Sequence, residues 1–149
     1  FSFFFLADRV AIVAPLGLFF GRIGNLLAGE LYGRVTTVPW GMYVSGASGE
    51  YALRHPSALY EAFFEGIVLF FLLLFIRRRQ QFVGEVAAWF LIGYGVFRFG
   101  VEFVREPDVF DTLILDVFTR GQIFSVAVLG VGVVLLLWLR RKNHGKMKR

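Results

Sequence analysis

Residues 121–139, GQIFSVAVLGVGVVLLLWL, run for 19 positions without a single charge. As a helix, such a stretch reaches across a hydrocarbon core of about 30 Å. Three further segments approach the same length. Residues 57–76, SALYEAFFEGIVLFFLLLFI, carry Glu61 and Glu65 only in their first half. Residues 82–104 carry Glu85 near one end and Arg98 and Glu102 near the other. Residues 1–20 are apolar apart from Asp8 and Arg9, and Pro15 is expected to bend or weaken that helix. With 57% hydrophobic residues and 19 Phe in 149 positions, the chain holds more apolar surface than a soluble domain of its size can bury. A water-soluble globule, a disordered chain and a disulfide scaffold are thereby excluded. The chain has no Cys, so it has no thiolate metal site and no cysteine nucleophile of its own.

The net charge of +5 is not a nucleic-acid signal. Nine of the 16 basic residues lie in two clusters, Arg77–Arg79 and Arg140–Arg149, each directly after an apolar run. Basic clusters in that position read as cytoplasmic flanks of membrane spans. The topology that follows has four spans, at about 1–20, 57–76, 82–104 and 121–139. The loop 21–56 and residues Glu106–Arg120 then lie outside, and the C-terminus is cytoplasmic. The fold class expected is all-α: one polytopic transmembrane helical domain over residues 1–149 with a small extracytoplasmic loop domain. A soluble helical core would instead need a partner to cover three apolar helices. The chain opens on Phe in the middle of an apolar run, with no charged leader and no cleavage site, and reads as a piece of a longer protein.

The loop 21–56 differs in texture, with seven Gly, Pro39 and Pro56. It is expected to fold with turns and a short hairpin around Val35–Val44, since connections of that length are seldom structureless. Ser57 is expected to cap the helix that follows.

Charges within spans are costly and mark working sites. Arg98, Glu102 and Arg105 stand at i, i+4 and i+7, which puts them on one helix face, and Tyr94 extends that stripe inward. An interfacial pair that only snorkels is the structural alternative. Glu61 and Glu65 are also i, i+4, and like charges there repel unless a cation lies between them. Arg98 or Arg105 is the natural source, and a divalent metal is the alternative, with His55 the nearby imidazole. Arg22 and Asn25 sit among Gly21, Gly24, Gly29 and Gly33. A planar guanidinium beside glycine-rich backbone at headgroup depth suits phosphate oxygens, while close helix packing is the structural reading. His55 is a candidate base or donor, or a structural interfacial residue.

Four blocks in order now carry a family resemblance: GRIGNLLAGELYGR at 21–34, RHPSALYEA at 54–62, IGYGVFRFGVEFVREPD at 92–108 and GQIFS at 121–125. The chain resembles the C-terminal part of the prolipoprotein diacylglyceryl transferase family of the bacterial inner membrane. The resemblance implies transfer of the diacylglyceryl group of phosphatidylglycerol to the lipobox Cys of a prolipoprotein, with release of glycerol phosphate. It implies as partners the lipid, the precursor's signal peptide and lipobox, and the bilayer; no nucleic acid, cofactor or metal is expected beside them. Arg22, Asn25, Glu30 and Gly33 match the first block, His55 and Glu61 the second, and Tyr94, Arg98, Glu102 and Arg105 the third. Arg98, Glu102 and His55 are expected to be catalytic and the others to bind substrate, with Arg22 and Arg98 on the phosphate. Asp8 matches a polar position before the first block. Ala28, Leu26 and Ala58 depart from the usual residues without removing a charge. The family's upstream His-Gly-Gly motif, which resembles its general-base region, does not occur in this sequence.

The chemistry suits these residues in its own right. A thiolate that attacks a glycerol carbon expels a phosphate monoester, and preorganised Arg donors stabilise the charge as it develops. The rival from another class is a phospholipid-binding or lipid-transport protein that leaves the lipid unchanged. A structural membrane subunit is the third.

Overall fold

The computed structural model describes residues 2–30, 32–45, 49–106 and 119–147. The first element, α1 (Phe3–Ala28), is a single helix of 26 residues with Pro15 buried inside it. It continues well past residue 20, where the sequence suggested an end. The stop comes at Gly29, whose φ of 73° is left-handed. The N–H of Gly29 donates to the Leu26 carbonyl at 3.2 Å and that of Glu30 to Asn25 at 2.9 Å. This six-residue closure satisfies the last carbonyls of a helix and calls for glycine. Arg22 and Asn25 therefore stand on the helix itself, not in the outer loop.

The expected hairpin forms later than Val35–Val44. Strands β1 (Met42–Ser45) and β2 (Tyr51–Arg54) pair antiparallel, Met42 opposite Arg54 and Ser45 opposite Tyr51. Val35 contributes only a lone bridge to Arg54. Pro39 has no N–H for a ladder and sits in a turn, closed by Gly41 N–H to the Val38 carbonyl at 3.0 Å, so the strand restarts beyond it.

A second rod spans Ser57–Arg78. It consists of α2 (Ser57–Glu61), a π-helical segment Ala62–Val68, and α3 (Leu69–Arg78). Pro56, not Ser57, is its N-cap residue, and Ser57 is fully buried one step inside. Helix α4 (Glu85–Val101) follows and α5 (Arg120–Met147) closes the chain. Helix α4 is shorter than the 82–104 span expected, because Glu102 is already its C-cap. Of the outer stretch Glu106–Arg120, residues 107–118 lie outside the described residues.

Among the described residues, three rods are long and apolar enough to cross a membrane: Phe3–Ala28, Ser57–Arg78 and Arg120–Asn143. The packing is that of a membrane bundle. Large apolar side chains such as Phe71, Phe124 and Val134 face outward, whereas Glu61, Glu65, Ser57 and Ser125 are wholly enclosed. Water would favour the reverse, and hydrocarbon favours this. The chain is a helical membrane protein with a small two-stranded sheet.

Small residues let the rods close on one another. A Cβ on Gly95 would stand 2.9 Å from Leu129 Cβ, and one on Gly132 would stand 2.9 Å from Ile92 Cγ1, so α4 and α5 meet backbone to side chain. The apolar core is Ala11, Leu69, Leu73 and Val86. At that end of the bundle, buried Asp8 of α1 accepts the N–H groups of Gly84 at 2.7 Å and Ala87 at 2.9 Å. A carboxylate from one helix thus satisfies the open N-terminus of another. The same end gathers Arg9 over Phe5, Arg79 over Phe75 and Lys142 over Trp138.

Candidate functional site

About three turns along α1 from Ala11, the interior changes from apolar to charged. Arg22 Nε lies 2.6 Å from Glu61 Oε2. Arg98 Nη1, from α4, lies 3.2 Å from Glu61 Oε1, and its Nη2 lies 3.1 Å from Glu102 Oε2. One carboxylate, fully buried, therefore receives guanidinium groups from two different helices on its two oxygens. The fourth rod joins through Thr119, whose hydroxyl donates to Glu102 Oε1 at 3.0 Å. Gly121 presses against the same carboxylate so closely that any side chain there would displace Glu102.

Glu65 completes the group. It is fully buried, and its ion-pair contact among the described residues is Arg22 Nη2 at 3.5 Å. Glu65 lies within the π-helical segment and Glu61 immediately before it. The wide π turn is uncommon and recurs at functional sites. An apolar hollow of about 500 Å³, lined by Tyr60, Phe64, Phe97 and Val101 among others, opens beside the charged cluster.

A second polar cluster lies beneath the hairpin. Arg54, 1% exposed, donates to the Gly33 carbonyl at 3.3 Å, to Glu50 at 3.0 Å and to Glu106. Gly33 N–H donates to the His55 carbonyl at 2.9 Å. The indole N–H of Trp40 donates to the Tyr60 hydroxyl at 2.7 Å, and that hydroxyl lies 3.2 Å from His55 Nδ1. Nδ1 is therefore engaged, and among the described residues His55 shows no hydrogen bond at Nε2.

Of the residues singled out from the sequence, Arg22, Glu61, Arg98 and Glu102 come together. Asn25 lies one turn beyond Arg22 on α1 and is half-buried. Glu30 is exposed beyond the helix end. Gly33 and His55 belong to the second cluster. Tyr94 stacks on Phe90 with centroids 6.0 Å apart. Arg105 leaves the face it was expected to share with Arg98, because α4 ends at Val101. It forms a lone backbone bridge with Gly33 instead, and its carbonyl accepts Arg34 Nε at 3.1 Å. The cation between Glu61 and Glu65 thus proves to be Arg22, which contacts both, while Arg98 reaches Glu61 and Glu102. The sequence reading did not place Glu65 among the site residues. Its i, i+4 relation to Glu61 in an apolar segment was the signal that could have done so.

A family model described as prolipoprotein diacylglyceryl transferase matches residues 1–138. A relative from Wolinella succinogenes named phosphatidylglycerol–prolipoprotein diacylglyceryl transferase is 49% identical over 146 residues, covering 98% of this chain and 52% of its own length. Proteins of the same name from Actinobacillus pleuropneumoniae and Aliivibrio fischeri are 47% and 48% identical, over 92% and 95% of this chain and 51% and 50% of their own. The chain spans about half the length of the curated relatives it matches.

Proposed function

This chain belongs to the prolipoprotein diacylglyceryl transferase family, and on that premise we propose that it carries the phosphate-binding half of the site that moves a diacylglyceryl group from phosphatidylglycerol to a prolipoprotein cysteine. The observation that carries this reading is the meeting of Arg22 and Arg98 on Glu61. Two planar guanidinium groups from separate helices are already gathered and largely withdrawn from solvent, and Glu61 stands where an anion belongs.

In the reaction, the substrate thiolate forms a bond to the glycerol carbon and the bond from that carbon to the phosphate oxygen breaks. The electron pair stays on that oxygen and leaves as glycerol phosphate. Arg98 and Arg22 bind the departing phosphate, and Glu102 and Thr119 hold Arg98 in plane. Arg98 is the catalytic residue of this set and Glu102 a positioning one. His55 serves as a donor to substrate through Nε2, and Asn25, Glu30, Gly33, Tyr94 and Arg105 shape the approach. The apolar hollow beside Tyr60 and Phe97 suits an acyl chain.

The substrate peptide brings a signal segment with its lipobox. The membrane is the bacterial inner membrane, with four spans including α4. The end bearing Asp8, Arg77–Arg79 and Arg140–Lys142 is cytoplasmic, as is the C-terminus, and the loop beyond α1 is outside. This orientation rests on the basic residues at that end.

The test is the product. A full-length member carrying these residues is incubated with phosphatidylglycerol and a lipobox peptide. Mass spectrometry should find thioether-linked diacylglycerol on the peptide and free glycerol phosphate. Unchanged lipid would indicate a binder or carrier instead.

A further inference from the structure

The charged cluster holds three carboxylates against two guanidinium groups. Glu61 is shared by Arg22 and Arg98, and Glu102 has Arg98 and the Thr119 hydroxyl. Glu65 is the surplus member. It is fully buried, and among the described residues no donor makes a hydrogen bond to either of its oxygens. A buried carboxylate in that state is expensive, and an apolar side chain of its size would suit the apolar neighbours better. Charge kept at such a place points to use. The π-helical segment supplies a second, independent sign, because it alters the helix spacing at this very residue.

A carboxylate only accepts hydrogen bonds, so the ligand must bring donors. The neighbouring guanidinium groups require that the same ligand carry an anion. Two lipid headgroups meet both conditions: a phosphodiester with hydroxyls and a phosphodiester with an ammonium. An ammonium seated on Glu65 would also lie against Arg22, whose Nη2 is 3.5 Å from the carboxylate, and would be repelled. Hydroxyls carry no such penalty.

We propose that Glu65 is the headgroup-specificity residue of this site, its carboxylate accepting hydrogen bonds from the hydroxyls of a glycerol headgroup while Arg22 and Arg98 hold the adjoining phosphate. The proposal rests on the phosphate-site reading given above. It assigns the selection of a polyol headgroup to a residue that takes no part in bond breaking.

The probe is a pair of lipids of equal charge that differ in the hydroxyls: phosphatidylglycerol and phosphatidylmethanol. A full-length member carrying these residues is purified into phosphatidylcholine nanodiscs, and lipid retention is measured by native mass spectrometry. The wild-type protein should hold phosphatidylglycerol roughly tenfold more tightly than phosphatidylmethanol, the worth of one hydrogen bond to a charged group. Glu65→Met should bring phosphatidylglycerol down to the phosphatidylmethanol level, and Glu65→Gln should fall between. The wild-type comparison decides even where a variant does not fold. Equal retention of the two lipids, both above phosphatidylcholine, overturns the role of Glu65 and leaves the phosphate site standing. Retention of neither overturns both. A wild-type preference for phosphatidylethanolamine, or an undiminished phosphatidylglycerol preference in Glu65→Met, also overturns the proposal.

Discussion

Arg98 Nη1 stands 3.2 Å from Glu61 Oε1, across the gap between α4 and the Ser57–Arg78 rod. The other terminal nitrogen of the same guanidinium reaches Glu102, one turn along α4. The two contacts fix the plane of the group as well as its position. A lysine ammonium in its place could satisfy one carboxylate but not define a plane.

Arg98→Lys should therefore keep charge and lose alignment. In a full-length member, transfer should fall by about 10²–10³, the usual cost of one preorganised donor to a developing oxyanion, with lipid binding partly retained. Single-turnover transfer and equilibrium lipid binding, measured side by side, test this. Transfer near the wild-type rate would reduce Arg98 to a membrane anchor.

Glu61 and Glu65 should respond differently to neutralisation. Glu61→Gln leaves the buried guanidinium of Arg98 and the half-buried one of Arg22 without their common partner and should cost roughly 3 kcal/mol. Glu65→Gln removes a charge whose one ion-pair contact among the described residues is long, at 3.5 Å, and should change stability by less than about 1 kcal/mol. Thermal unfolding in one detergent gives the comparison. Equal shifts for the two variants would contradict the geometry.

Gly33→Ala should loosen the outer loop. A Cβ there would lie 2.6 Å from the His55 Cβ and carbonyl oxygen and from the Val104 carbonyl oxygen. Two of these three contacts are backbone and cannot swing aside, so the cost should be about 1–3 kcal/mol. Faster hydrogen exchange at Thr36, His55 and Gly41 relative to α4 is the expected readout. Unchanged exchange at all three would contradict the crowding at Gly33.

The absence of Cys makes single-cysteine labelling clean. Ser45→Cys in β1 and Gln81→Cys before α4 are both at exposed positions. An impermeant thiol reagent should reach them from opposite faces of the membrane. Labelling of both from one face would refute the proposed orientation.

The apolar runs made the rods legible, because hydrocarbon length imposes a number on the sequence. The Arg98–Glu61 and Arg98–Glu102 pairs were legible because an unpaired charge at that depth is costly. Other features were hidden for physical reasons. Gly21 and Gly24 looked like loop residues, yet a Cβ on either would meet nothing within 4 Å, and α1 runs through both. Gly29, the actual stop, looked no different in sequence. The π-helical segment has no residue signature. It changes which side chains follow Glu61 around the rod, so extrapolating a 3.6-residue period from Leu69 back to Glu61 gives the wrong angle. Arg105 was placed on a helix face by spacing alone, and the helix ended before reaching it.

The carboxylates of Asp8 and Glu61 hold α4 from two other rods, one at its first turn and one at its last. Sliding α4 along its axis by even one turn, about 5.4 Å, would break both attachments at once. Tilting a neighbour about either attachment would break neither. The helix is held as a fixed strut with a pivot at each end, an arrangement that resists piston motion of α4 more than rotation of the surrounding rods.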